Sequence, residues 1–352
     1  MKYRFVTDQW TATEWQSLAS SFSGMNIYQT WHYAALHSRG PFRSVSRAAL
    51  FANGCIQVMA QLRIKTIPLC NIGVAEIEWG PLWHSDNPTQ SEPALRAFLE
   101  GLRTKYFGKR KLEIRLVPRS TMSADGDIRL IQILEDHGFH RNGNIRQYLT
   151  CILDLSCSLD TLRKNFHRKW RNHLNKSEKY GLLVDFGNSL EHFDRFYSIY
   201  KKMWAKKRFP TGVRVPIIRQ LQKCLPRSER FLITLVRDGQ EDVGATVCAP
   251  IGDTMLYFLG ATAPSIRRDC QPGYLLQWLN IQRAKNTGFR WYDTGGFNDE
   301  TQKDIAEFKR RMNGLELVYP GQFIVIPGQS QSRLYMLTEL LYRKTRRLFI
   351  GR

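Results

Sequence analysis

Cysteine is sparse in this chain and shows no pairing pattern. The seven cysteines are scattered, odd in number and without a CxxC pair, which is typical of reduced, mostly buried thiols in a cytosolic protein. No apolar run approaches the roughly 18 residues that span a bilayer, and the opening MKYRFVTDQW lacks the apolar segment of a secretory signal. We expect a cytoplasmic protein, and a monomer.

Several motifs of catalytic chemistry are also missing. The eight histidines include no HExxH pair and no spacing typical of a metal site. The sequence contains neither a GxSxG elbow nor a Walker phosphate loop. We therefore expect no metal and no resident cofactor.

Acidic residues are few relative to basic ones. Asp and Glu number 31 against 52 Lys and Arg, which leaves a formal charge of +21. An excess of this size favours a polyanionic partner, either nucleic acid or an acidic membrane surface.

The order helix, antiparallel strands, helix, strand occurs twice along the chain. Thr11 and Glu14 form a capping box at the first helix, and Asn53-Gly54 marks a hairpin. In the second half, turns at Asp238-Gly239 and Gly252-Asp253 separate three strands. The pattern predicts a mixed α/β (α+β) fold of two lobes, each with a mostly antiparallel sheet flanked by helices. The predicted boundaries are 1–150 and 151–330, followed by an amphipathic basic helix over 331–352.

A basic segment, TLRKNFHRKWRNHLNKSEKYG, opens the second lobe. Its apolar residues Leu162, Phe166, Trp170 and Leu174 recur every four residues, which predicts a helix over 161–180 with one cationic face. The seven cations of the segment are Arg163, Lys164, Arg168, Lys169, Arg171, Lys176 and Lys179. A solvated helix is the ordinary interpretation of such a run; with the overall charge, contact with phosphates is favoured.

Several segments together resemble the Fem family of peptidoglycan bridge-forming aminoacyltransferases, which take an amino acid from aminoacyl-tRNA and are built from two lobes of the GNAT acyltransferase fold. The matching segments are YQTW (28–31), EWGPLW (78–83), LEIRLVP (112–118), LRKNFHRKWRNHLNKSEKYGLLV (162–184), LLQWLNIQRAKNTGFRWYDTGG (275–296) and EFKRRMNGLELVYPG (307–321). The resemblance runs to about residue 328, and the last two blocks are the most specific.

The resemblance implies that Phe308 and Lys309 lie in the donor channel, with Lys309 stabilising the oxyanion of the transfer. A fixed cation stabilises a tetrahedral oxyanion more than the ground state. The alternative is that Lys309 neutralises Asp304, Glu307 or a neighbouring carboxylate. Asp293 is likewise a family position; its carboxylate either assists the attacking amine or caps the turn through the backbone.

Three positions concern the acceptor. Where bridge-forming members that act on a nucleotide-linked muramyl peptide have an Asp and a Lys, this chain has Val117 and Ala35. Arg214 is a counterpart of the family's arginine in the loop after the second-lobe helix. The contacts to a muramyl-nucleotide acceptor are therefore lost at two positions, and we assign Arg214, Trp204 and Trp31 to binding of the acceptor.

The segment RRDCQPGYLL lies where a GNAT enzyme places its pyrophosphate loop. Arg268, Gln271 and Gly273 occupy the fixed places of that loop, so its first glycine is missing, and Pro272 removes an amide donor. Backbone amides at this helix start suit a phosphate nonetheless, which keeps an acyl-CoA donor as an alternative.

The sequence thus predicts a transferase that moves an amino acid from aminoacyl-tRNA, as co-substrate, to a peptidoglycan precursor or another peptide or small amine. The alternatives are an acyl-CoA-dependent N-acyltransferase and a non-catalytic nucleic-acid-binding protein. The basic tail offers peripheral contact with an anionic membrane. The donor side comprises Phe308, the seven cations of the basic segment, Arg268 and Gly273; the catalytic pair is Lys309 and Asp293.

Overall fold

The computed structural model describes residues 2–37, 40–67, 72–84, 88–207, 213–264, 266–267 and 270–326. The helices are α1 (Ala12–Ala19), α2 (Trp31–His37), α3 (Pro88–Leu102), α4 (Ala124–Asp136), α5 (Leu159–Asn165), α6 (Arg168–Lys179), α7 (Leu190–Lys207), α8 (Val215–Cys224), α9 (Pro272–Asn286) and α10 (Lys303–Arg310). The predicted helix over 331–352 and the candidate Arg268 lie outside the described residues.

The strands alternate with these helices along the chain. They are β1 (Tyr3–Thr7), β2 (Arg43–Ala52), β3 (Cys55–Thr66), β4 (Gly73–Glu78), β5 (Leu82–Trp83), β6 (Glu113–Val117), β7 (His140–Arg141), β8 (Leu149–Asp154), β9 (Leu183–Gly187), β10 (Leu232–Asp238), β11 (Glu241–Ile251), β12 (Thr254–Thr262), β13 (Trp291–Asp293), β14 (Leu315–Val318) and β15 (Phe323–Val325). Residues 148–318 form one compact unit, and the rest of the described chain forms another.

The first unit is built on a sheet with the order β1-β2-β3-β4-β6-β15-β7, to which β5 adds through β3. Within the described strands, β4 and β6 are its one parallel pair. One face of the sheet packs on α3 and α4 through a core that includes Phe98, Ile114 and Leu134. The strand β15 belongs to this sheet although it follows residue 318, whereas the sequence boundary placed residues up to 330 in the second lobe.

The other face of β3, β4 and β6 carries charges that are paired across strands. Glu76 lies opposite both Arg63 and Arg115, and Lys65 Nζ lies 2.9 Å from a Glu76 carboxylate oxygen. Burial by itself raises the pKa of Glu76, but Lys65 and Arg63 together bring it below its ordinary value. Opposite charges that face one another across strands favour a single register, because a slip of one residue would separate every pair.

The second unit is built on a seven-stranded sheet with the order β14-β8-β13-β12-β11-β10-β9. The three long antiparallel strands β10, β11 and β12 pack against α7 and α9. The predicted turns at Asp238-Gly239 and Gly252-Asp253 join these strands, with both glycines at positive φ. Each unit is thus a mixed, mostly antiparallel sheet flanked by helices, and the expected fold class is confirmed.

The basic segment differs from the single helix predicted for it. All four residues of its apolar stripe are buried, but the chain leaves the helix at Phe166 and His167, whose ψ values are 145° and 141°. The guanidinium of Arg171 donates to the carbonyls of Lys164 and Phe166, and the His167 ring accepts from the amide of Lys169. These contacts satisfy the two new helix ends, which periodicity alone does not reveal.

Candidate active site

The site lies in the second unit, at the point where one of two paired parallel strands ends and the other continues. Residues 254–256 of β12 pair with residues 291–293 of β13, and β13 then ends at Asp293 while β12 continues to Thr262. The chain after Asp293 turns through Gly295, which has a φ of 75°. β13 therefore ends in a turn that stays beside β12, and polar groups gather at this turn.

The Lys309 side chain extends from α10 to the turn that follows β13. It is 5% exposed, and its ammonium donates to the carbonyl oxygens of Gly295 and Gly296, each at 2.9 Å. The ammonium also lies 5.4 Å from the centre of the Tyr257 ring and 5.9 Å from that of Phe297. Two of its three N–H groups are therefore held by backbone, and the third has no acceptor among the described residues.

The environment of Lys309 makes its proton easier to lose. Burial lowers the pKa of the ammonium to about 8, and the nearby Asp293 carboxylate opposes that shift. Of the carboxylates considered from the sequence, Glu307 pairs with Arg311 instead, and the carboxylate whose charge acts on Lys309 is that of Asp293. Lys309 is thus a buried ammonium with a pKa of about 8. It donates to the carbonyls of a turn and not to a carboxylate on its own helix.

Asp293 makes the contact expected for a turn residue. Its carboxylate accepts from the amide of Gly295 at 2.8 Å and from the hydroxyl of Thr150 at 2.5 Å. The Thr150 hydroxyl also lies 3.1 Å from the carbonyl oxygen of Gly295. The carboxylate is 1% exposed. Asp293 and Thr150 therefore fix the turn that presents two carbonyls to Lys309.

Two glycines of this turn are sterically required. A Cβ on Gly295 would lie 2.4 Å from the carbonyl oxygen of Tyr257, and one on Gly296 would lie 2.4 Å from the ring of Tyr148. Real Cβ atoms do not approach so closely, so the YDTGG sequence is dictated by contact with β12 and with Tyr148.

Phe308 points away from Lys309, as neighbouring helical residues do. Its ring lies 4.9 Å from that of Tyr274 and 6.0 Å from that of Trp170. His173 stacks on the other side of this group, 4.8 Å from Tyr274. Phe308 is therefore part of a half-buried aromatic cluster between α6, α9 and α10.

The cations of the basic segment fall into two groups. Arg163 binds Glu178 through two nitrogens, and Arg171 is engaged with the carbonyls described above, so both have structural partners. The remaining five are exposed and form no ion pair within the described part of the chain; they are Lys164, Arg168, Lys169, Lys176 and Lys179. These five are available for an anionic ligand.

The other candidates are distributed over both units. Trp31 lies in the first unit, where the guanidinium of Arg47 sits 3.2 Å from its ring centre. In the second unit Trp204 is 40% exposed on α7, and Arg214 is the exposed N-cap of α8. Gly273 lies in the first turn of α9, where a Cβ would meet nothing within 4 Å. Lys309 and Asp293 contact the same turn, whereas these four residues lie on other elements.

The sequence missed Thr150 and Tyr257, which contact the turn and the ammonium. A threonine at a fully buried position of the apolar strand YLTCILD was the available signal for Thr150, because a buried hydroxyl needs a partner. No local signal marks Tyr257, since its contact with Lys309 spans distant parts of the chain.

The sequence of this chain matches the models of two known protein families. Residues 11–211 match the sequence model of the FemAB family. The chain belongs to the FemAB family. Residues 163–310, which hold the site, match the acetyltransferase (GNAT) domain. No curated protein matches this chain.

Solved structures share the fold of this FemAB-family chain over nearly its whole length. FemX has a TM-score of 0.78 at 18% identity, covering 94% of this chain and 99% of that one. L-PGS from Bacillus licheniformis has a TM-score of 0.54 at 12% identity, covering 95% and 97%. A tandem GNAT protein from the clavulanic acid biosynthesis pathway has 0.52 at 12%, covering 93% and 99%. Together with the family match, they confirm the GNAT-like fold expected from the sequence.

The chain is therefore an enzyme, a transferase of acyl or aminoacyl groups. Within the described residues no helix is long and apolar enough to cross a membrane. The same residues contain no group of three or more His, Cys, Asp or Glu side chains placed to hold a metal ion.

Proposed function

We propose that this FemAB-family protein transfers an amino acid from aminoacyl-tRNA to an amine acceptor. One observation carries the proposal: the buried Lys309 ammonium has two N–H groups fixed by carbonyls and a third directed to no described acceptor. Such a donor suits the oxygen of an ester carbonyl undergoing attack.

The proposed reaction needs no activation beyond the ester itself. The acceptor amine attacks the ester carbonyl, and a C–N bond forms while the carbonyl oxygen becomes an oxyanion near Lys309. Collapse of this intermediate breaks the C–O bond, and the ribose hydroxyl leaves with the proton that the amine loses. Lys309 acts by charge, and Asp293 acts by holding the turn that orients Lys309.

The donor side of the proposal rests on charge. Five exposed lysines and arginines of the basic segment lack ion pairs within the described chain, and the formal charge of the whole chain is +21. Phosphate contacts of this kind supply most of the affinity for nucleic acid and weaken with salt. The basic segment is therefore assigned to the tRNA backbone.

The acceptor side is assigned a peptide or small amine. Ala35 is exposed on α2, and Val117 ends β6; neither can make the ionic contacts of a lysine or an aspartate. Arg214 and Trp204 are the exposed candidates in the second unit. A peptidoglycan precursor stays within the proposal as a source of the amine, held by contacts other than those two.

A transfer assay with two labelled donors tests the proposal. Purified protein is offered radiolabelled aminoacyl-tRNA or labelled acetyl-CoA with a panel of amines, and products are identified by mass spectrometry. We expect an amide product from aminoacyl-tRNA. Because residues 163–310 match a GNAT acetyltransferase domain, the second donor is the direct competitor; product from acetyl-CoA alone would contradict the proposal.

The pH dependence of transfer follows from the lowered pKa of Lys309. The ammonium is charged below about pH 8 and neutral above it, so kcat/KM expressed per neutral acceptor amine should fall above about pH 8 by roughly tenfold per unit. The measurement is repeated with two acceptor amines of different pKa. With the rate expressed per neutral amine, a limb whose position differs between the two amines, or a plateau to pH 9.5, would show that Lys309 does not act as a cation.

A further inference from the structure

A pocket lies against a different face of α10 from Lys309. Its volume is about 520 Å³, within the range of roughly 300–1,000 Å³ typical of small-molecule sites. It is lined by His167, Lys169, Asp299, Lys303, Ala306, Glu307, Arg310, Arg311 and Asn313. All of these residues belong to the second unit.

The walls of this pocket are one face of α10 and the start of α6. Lys303, Glu307 and Arg310 are spaced four and three residues apart, so they share a face of the helix. The two walls are tied together: the amide of His167 donates to the carbonyl of Arg311 at 2.8 Å, and the side chain of Asn313 donates to the carbonyl of Asn165 at 2.6 Å. The pocket is thus part of the folded unit.

The charges lining the pocket are unbalanced. Four cations face two carboxylates, Asp299 and Glu307. Arg310 pairs with Asp299 and also with Glu316, which lies outside the lining, and Arg311 pairs with Glu307, so each arginine is balanced by a carboxylate. Lys169 and Lys303 form no ion pair within the described chain, so theirs are the two uncompensated charges of the lining. The first turn of α6 adds the partial positive charge of a helix N-terminus.

We propose that this pocket binds a nucleoside phosphate. The inference rests on the proposed function, because both donors considered there carry such a group: the acceptor end of a tRNA and the phosphorylated adenosine of coenzyme A. Lysine ammonium groups bind phosphate as point charges. The pocket volume leaves room for a nucleoside beside the phosphate.

The location of the pocket connects it to the site. The pocket residues of α10 and Lys309 lie on different faces of one short helix, so a ligand held by Lys303 does not obstruct the ammonium. A bound phosphate would instead hold the donor beside the helix that carries Lys309. The pocket is therefore a donor-positioning site.

Binding of two probes tests the inference. The probes are adenosine 3′,5′-bisphosphate and a short single-stranded RNA ending in CCA, with adenosine as the uncharged control. The test variant is Lys169→Gln with Lys303→Gln. The matched control removes two exposed lysines of the same unit outside the pocket, Lys202→Gln with Lys223→Gln. Calorimetry or fluorescence anisotropy at fixed ionic strength gives the dissociation constants, and circular dichroism checks folding.

We expect the test variant to weaken binding by at least about 100-fold, since each of the two charge-assisted contacts contributes about a factor of ten or more. The control should bind within about twofold of the wild type. For RNA, the slope of log K against log salt should shrink by about 1.4, the value for two phosphate contacts to a single strand. Loss for RNA alone identifies the strand as the source, and loss for the bisphosphate alone identifies the coenzyme.

Equal affinity of the test and control variants for both probes would overturn the inference. This failure is distinct from failure of the proposed function. If transfer depends on Lys309 while the pocket variant binds normally, the proposed function stands without the pocket. If no donor supports transfer while the pocket variant loses the bisphosphate, the pocket stands without the proposed function.

Discussion

Replacing Lys309 by methionine is expected to lower kcat for transfer by roughly 10²–10³, the usual effect of removing one oxyanion donor. Methionine keeps most of the aliphatic stem and removes the charge. Because the ammonium interacts with the transition state more than with the bound ester, KM for the donor should change little. Steady-state kinetics with the donor identified by the two-donor assay gives both constants.

The stability of the Lys309→Met variant follows from the burial of the ammonium that it removes. Burial lowers the pKa of Lys309, which means that the folded unit accommodates the charged form at a cost. Removing the charge relieves that cost and offsets the loss of two hydrogen bonds. We therefore expect a thermal midpoint near that of the wild type.

Lys285 provides the matched control for this substitution. Its ammonium donates to a backbone carbonyl, that of Leu155, at 2.8 Å, and its side chain is half-buried on α9. Lys285→Met removes a similar contact away from the turn at Gly295, so kcat should stay within about twofold. A comparable loss in both variants, or full turnover in Lys309→Met, would refute the role of Lys309.

Replacing Gly295 by alanine is expected to abolish turnover nearly as completely. The residue has a φ of 75°, and its Cβ would lie 2.4 Å from the carbonyl oxygen of Tyr257 and 3.5 Å from Lys309 Nζ. The turn must move, and with it the two carbonyls that hold the ammonium. We expect a loss of at least about 10² in kcat, with a stability loss of roughly 2–4 kcal/mol, from the positive φ plus the contact.

The variant Gly288→Ala separates the cost of the positive φ from the cost of the close contact. Gly288 has a φ of 86°, but a Cβ there meets nothing within 4 Å, so Gly288→Ala carries only the cost of the left-handed conformation, about 1–2 kcal/mol. Turnover should survive in that variant.

A pH profile distinguishes displacement of the turn from general destabilisation. Carbonyl oxygens that accept from an ammonium favour its charged form, so losing them in Gly295→Ala lowers the pKa of Lys309 further. The descending limb of the residual kcat/KM should move below pH 8. A limb that stays in place, with only a lower thermal midpoint, would show that Gly295 is structural and does not position Lys309.

Elements with strong local signals were predictable from the sequence. The capping box at Thr11 and Glu14 is present, with the Thr11 amide 2.8 Å from the Glu14 carboxylate, and Asn53-Gly54 joins β2 to β3. In both cases the residues that decide the conformation are neighbours in the chain. Local propensity and turn chemistry suffice for such elements.

Short strands could not be predicted in the same way. β13 and β15 have three residues each, and their strand conformation depends on pairing with partners far away in the chain. β15 joins β6 and β7, which are about 210 and 180 residues earlier. A three-residue run carries too little pattern to indicate which sheet it will join.

In the candidate site too, the sequence indicated the residue but not the distant partners that fix its position. The resemblance pointed to Lys309, but charge alone favoured pairing with Asp304 or Glu307, because those are its nearest acidic residues in the chain. The observed partners are the carbonyls of Gly295 and Gly296. Backbone carbonyls have no sequence signature, and their direction depends on a turn held by Thr150, more than 140 residues away.

The return of the chain at β15 has a consequence for synthesis on the ribosome. In the first sheet β7 is attached through β15 alone among the described strands, and the side chain of Gln147 donates to the carbonyl of Tyr319 at 2.8 Å where the chain comes back. A nascent polypeptide that has emerged only to residue 318 therefore holds a complete second unit nested inside an unfinished first one. The amino-terminal part, although made first, must be the last to close.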